Sequence, residues 1–88
     1  MKHIEYGWAR RREQIKELLI WLIESLKVGE SVSWPWLKSK IRAAVDLKPG
    51  FEANSVHAMV YNAAKKFEEA GAHKIIVENG VKYIRRIK

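Results

Sequence analysis

Cysteine is absent from this sequence. That excludes disulfides, Cys-ligated zinc, iron–sulfur clusters and thiol nucleophiles, and it fits an intracellular chain. Long apolar runs are also missing. The longest, Leu18–Ile23, has six residues, against the roughly 18–20 that a membrane-spanning helix needs. The basic start MKHIEYGWARRR is followed by no apolar h-region, so neither a signal peptide nor a membrane association is expected. No Gly-rich phosphate loop occurs, and the serines lack a nucleophile elbow. His3, His57 and His73 have no Cys partners and no ligand-like spacing, so no metal site is expected. No enzyme, no cofactor and no small-molecule substrate is expected. Acid is the last shortage: 10 Asp+Glu stand against 17 Lys+Arg, a net charge of +7.

What is present is a chain of 88 residues, 48% hydrophobic and 31% charged. That composition describes a folded basic globule, with one domain over residues 1–88. A chain this short buries only roughly 60–65% of its unfolded surface, which leaves little for a deep enzyme cleft. An acidic partner is expected, nucleic acid first.

Helical periodicity places a first helix over Trp8–Leu26, with Trp8, Ile15, Leu18, Leu19, Leu22 and Leu26 on its core side and Gly29 just past its end. Ser31-Val32-Ser33-Trp34 alternates as a short strand. Pro35 suits the first position of a second helix, whose apolar face is Leu37, Ile41, Ala44 and Val45. Asp46–Gly50 breaks it, Pro49-Gly50 marking a turn. Asn54 or Ser55 is expected to cap a third helix running to about Ala70, with Val56, Met59, Val60, Ala63 and Phe67 inward and Gly71 as its stop. Two β-rich runs over residues 72–88 flank Asn79-Gly80, a type I′ hairpin signal. The implied register sets Val77 opposite Lys82 and Ile75 opposite Ile84.

The order helix-strand-helix-helix-strand-strand defines an α+β class. Over essentially the whole chain it resembles the winged helix-turn-helix family of DNA-binding domains. The resemblance is carried by the SVSW strand, the helix opening at Pro35, the helix from Asn54 to Ala70 and the hairpin HKIIVENGVKYIRRIK. It is one of topology and pattern, and in size it is similar to small regulators of archaea and their viruses. The eight-residue link Asp46–Ala53 departs from the roughly 3–4 residues of a plain helix-turn-helix. The left-handed-DNA subtype fits poorly, because His57 rather than Asn precedes Tyr61 by four residues and the hairpin has no Pro-x-Trp.

The resemblance implies that the third helix enters the major groove and that the hairpin wing lies on the backbone. Asn54, Ser55, His57, Tyr61, Asn62 and Lys65 are then the candidate base-reading residues, with small Ala58 permitting close approach. Lys38, Ser39 and Arg42 of the second helix, with Lys74, Lys82 and Arg85 of the wing, are the candidate backbone contacts, and Arg86 is a weaker one. Residues 72–88 hold five cations and one acid, a net +4, while no acid occurs from Asn54 to Lys66. Lysines on an exposed edge strand would serve equally to prevent aggregation. Arg10, Arg11 and Arg12 point in different directions on a helix, so they are poorer candidates.

Ile20, Trp21 and Ile23 add apolar surface on other sides of the first helix, and the chain has 4 tryptophans. A homodimer with Ile20 and Trp21 at its interface is expected, presenting two third helices to a near-palindromic site. The expected function is sequence-specific binding of double-stranded DNA by a small dimeric transcription regulator. Its expected location is inside a cell, in the cytoplasm or nucleoid, including that of a virus-infected host. The alternatives are a winged-helix protein–protein interaction module and a nonspecific architectural or RNA binder.

Overall fold

The computed structural model describes the backbone of residues 2–45 and 52–88 and the side chains of residues 10–45 and 56–88. Three helices and three strands follow in order: α1 (Lys2–Glu24), β1 (Ser31–Ser33), α2 (Trp34–Ala44), α3 (Glu52–Glu69), β2 (His73–Glu78) and β3 (Val81–Arg86). The strands form one antiparallel sheet in the order β1-β3-β2. The chain is therefore α+β, with α2 and α3 packed against a small sheet and α1 packed against both of those helices.

The core assembles from i, i+4 spines. Ile15, Leu19 and Ile23 line α1, Leu37 and Ile41 line α2, and Val56, Val60 and Ala64 line α3. Ile84 of the central strand β3 meets them, and all nine are fully buried. Ile23 thus belongs to the core, contrary to its expected place on another side of the helix. Leu18 and Leu22, expected inside, flank this spine half-buried. Ala64 rather than Ala63 is buried on α3, and Ala44 of α2 is exposed. The side chain of Trp8 and the Asp46–Gly50 turn lie outside what the structure describes.

Helix boundaries also shift. The first helix starts at Lys2 and ends at Glu24, before Leu26, which is buried beyond the helix end. The following turn closes on itself: the Lys27 N–H donates to Glu30 Oε1 at 2.7 Å, and the Glu30 N–H donates to the Lys27 carbonyl at 2.9 Å. Gly29, with φ 92°, occupies the left-handed region there. The second helix opens one residue before Pro35. Ser33 caps it, its Oγ accepting from the Trp36 N–H at 3.1 Å. Pro35 then falls in the first turn, where a missing N–H costs nothing. Asn54 and Ser55 do not precede the third helix, because it begins at Glu52. Glu52 and Ala53 are strong helix formers, and an acid suits a helix N-terminus.

The hairpin has the expected register, with Ile75 opposite Ile84 and Val77 opposite Lys82. Asn79 and Gly80 turn it with φ of 52° and 76°, as a type I′ turn requires. At its open end the Ile87 N–H donates to the Ala72 carbonyl at 2.8 Å. Glu68 Oε2 accepts from the Ile75 N–H at 2.9 Å and ties α3 to β2.

His73 is the one buried polar side chain among the described residues. It packs edge-on against Phe67, with ring centroids 5.0 Å apart, and neither ring nitrogen makes a hydrogen bond of good geometry. Burial, aided by the charge of Arg86, holds its pKa below the ordinary value, against the Ile23 backbone and Glu24. The neutral ring is therefore the folded form. Its contribution to stability is complete above the unfolded pKa of about 6.5 and is lost as pH falls below that value toward the lower folded pKa. Thermal melting between pH 7.5 and 5 is expected to show this loss. His73→Leu is expected to flatten the slope.

Candidate nucleic-acid interface

Strand alternation sorts the hairpin's cations. Ile84 faces the helices, so Lys82 and Arg86, two residues away on either side, share its face, while Arg85 points to the opposite face. In β2, Lys74 is paired with Arg85 and lies on that outer face too. The candidate backbone contacts therefore divide, with Lys82 on the helix side and Lys74 and Arg85 together on the outer side. Arg85 also approaches Glu78 Oε1 at 4.0 Å. Arg86 is committed to the fold: its Nη1 donates to the Leu26 carbonyl at 2.8 Å and its Nε to the Lys88 carbonyl at 3.1 Å.

Lys82 reaches the third helix. Its Nζ lies 5.5 Å from the centroid of the Tyr61 ring, within cation–π range. His57, one helical turn before Tyr61, is exposed. Its pKa lies below the ordinary value, chiefly through desolvation and then through the charges of Lys38 and Lys82. Side chains from α2, α3 and β3 thus converge on the outward face of α3, where Tyr61 is 40% exposed. Lys38 is half-buried and Arg42 exposed on the same side of α2. The Ser39 hydroxyl donates back to the Trp36 carbonyl at 3.0 Å, so its proton is engaged within α2.

Asn62 and Lys65 sit on the other flank of this face. They line a groove between α1 and α3 rather than approaching Lys82. Lys65 Nζ also lies 3.7 Å from Glu68 Oε1. This half-exposed pair contributes only about 0–1 kcal/mol. The side chains of Asn54 and Ser55 lie outside the described residues. The structure therefore gathers His57, Tyr61, Lys38 and Lys82, and leaves Lys74, Arg85, Asn62 and Lys65 at other places.

Ile20 and Trp21 also separate. Both are exposed, at 45% and 63%, but successive helical residues point about 100° apart. Ile20 lines the α1–α3 groove. Trp21 lines a second groove, between α1 and α2, together with Trp36, Leu18, Leu22 and Val32. Lys40 is the charged residue of that second groove, and its Nζ lies 5.2 Å from the Trp36 ring centroid.

Sequence reasoning missed the cationic edge that Arg12, Lys16 and Lys66 give the α1–α3 groove. Helical spacing of Arg12, Lys16 and Ile20 was the available signal. Among the described residues no cluster of His, Asp and Glu could hold a metal ion, and no helix is long and apolar enough to cross a membrane. Comparison of the chain with family models, curated proteins and solved structures finds no match.

Proposed function

We propose that this chain is a winged helix-turn-helix protein that binds double-stranded DNA sequence-specifically and acts as a dimeric transcription regulator. The observation that carries the reading is the convergence on Tyr61. A wing lysine, Lys82, lies against the outward face of α3, and its charge and that of Lys38 both act on His57. An exposed helix face bearing an aromatic, an imidazole and neighbouring cations can dock in a major groove and meet phosphates on either side. The order of elements and the pairing of β1 with β3 beside the hairpin agree with a winged-helix arrangement.

In this reading α3 reads bases, Lys82 and Lys38 hold phosphates, and the dimer forms through the α1–α2 groove. Trp21 and Trp36 make that groove the better seat for a second copy, since exposed tryptophans are favoured at interfaces. On α2, Trp36 and Lys40 lie on the side opposite Lys38 and Arg42 by helical geometry, so dimerisation there leaves the DNA face open. The same apolar groove supports the second reading, a protein-interaction module with a different partner.

Enrichment from a random duplex pool tests the proposal. The expected product is a near-palindrome with half-sites about one helical turn apart. Trp21→Ser is expected to sediment as a monomer and to bind a half-site without cooperativity. Failure of any duplex to be enriched over the starting pool would leave the interaction-module reading in its place.

A further inference from the structure

We propose that the groove between α1 and α3 binds an amphipathic organic anion, a carboxylate or sulfonate carried on an apolar body. The groove encloses about 610 Å³, within the roughly 300–1,000 Å³ of small-molecule sites. Its floor is apolar, with Ile20, Met59 and Phe67. Its edge is cationic from both helices, with Arg12 and Lys16 on α1 and Lys65 and Lys66 on α3. No carboxylate lines it. Lys65 is paired with Glu68, while Arg12, Lys16 and Lys66 take part in no ion pair among the described residues.

That combination selects the ligand class. A bare inorganic anion would satisfy the edge and leave the apolar floor wet. A neutral apolar molecule would cover the floor and gain nothing from the cationic edge. A second copy docked by a twofold axis would bring the two cationic edges together, which like-charge repulsion opposes. An anion with an apolar body matches both surfaces at once. The site lies apart from the Tyr61–Lys82 cluster, neither of which lines it, although it shares Asn62 and Lys65 with the flank of the proposed DNA face.

Anilinonaphthalene sulfonate, with its uncharged analogue N-phenylnaphthylamine, provides the test on the full chain at a temperature where it is folded. The sulfonate is expected to saturate at one per chain. Lys16→Glu combined with Lys66→Glu should weaken it by about tenfold or more, and Lys16→Arg with Lys66→Arg should retain it. The uncharged analogue should bind the parent more weakly than the sulfonate does. Reversal of charge at Lys27, which lines neither groove, should leave the titration unchanged. Thermal melting checks that each variant is folded. The proposal is overturned if the folded charge-reversed chain binds as tightly as the parent, if Lys27→Glu weakens binding as much, or if an acidic amphipathic peptide occupies the groove more tightly than the sulfonate.

Discussion

Ile23→Ala is expected to destabilise the fold by about 2–5 kcal/mol, the usual range for emptying a fully buried isoleucine site. At roughly 4–8 °C per kcal/mol for a domain of this size, the melting temperature falls by about 10 °C or more. Ile20→Ala, three residues earlier in the same apolar run, is expected to cost less than about 1 kcal/mol. The contrast follows from position alone. Ile23 is fully buried on the spine with Ile15 and Leu19, while Ile20 is 45% exposed at a groove edge. Truncation at Ile23 opens a cavity in the core cluster it shares with residues of α2 and α3, whereas truncation at Ile20 removes atoms that water already reaches. Denaturant or thermal unfolding of the two variants measures the difference. Equal losses would place both residues in the core.

The second large effect concerns the proposed DNA face. Tyr61→Ala is expected to cost about 1–3 kcal/mol on the preferred duplex and much less on an unrelated one, so the preference between them narrows. Lys82→Ala is expected to weaken both duplexes alike and to lower the slope of log affinity against log salt by about one. The two residues lie within cation–π range, with Lys82 Nζ 5.5 Å from the Tyr61 ring centroid. Their effects should therefore fail to add in the double variant. Fluorescence anisotropy with the two duplexes separates the outcomes. If Tyr61→Ala leaves the preference intact, α3 does not read bases through this face.

Parts of this fold were legible in the sequence because two signals agreed. Asn79-Gly80 lies between alternating runs, and the residues opposite one another in the hairpin follow from that turn. The run Leu18–Ile23 was not legible in the same way. When six successive positions are apolar, periodicity cannot say which of them face inward. Only packing against α2 and α3 selects Leu19 and Ile23 and leaves Ile20 and Trp21 outside. The third helix starts earlier than its polar residues suggested, since Asn54 and Ser55 resemble caps while Glu52 and Ala53 favour helix on their own account.

The candidate site divides along similar lines. By net charge alone the cations of residues 72–88 form one group. The register already implied that Lys74 and Arg85 face away from Lys82, because residues two apart share a face and adjacent residues do not. The approach of Lys82 to Tyr61 was beyond the sequence. It depends on how α3 is rotated above the hairpin, which long-range packing through Phe67, His73 and the Glu68–Ile75 hydrogen bond helps to fix. The separation of Ile20 and Trp21 into different grooves was implicit in helical geometry, but only the positions of α2 and α3 show what each groove contains.

The most direct measurement of the central claim is binding of duplex DNA across a salt series in the presence of competitor RNA. Duplex binding is expected to fall steeply with salt, by about 0.9 log units of affinity per log unit of salt for each phosphate contacted. That binding is also expected to differ between sequences and to survive excess RNA. No detectable duplex binding at low salt would contradict it, as would a complex that RNA displaces as readily as DNA does.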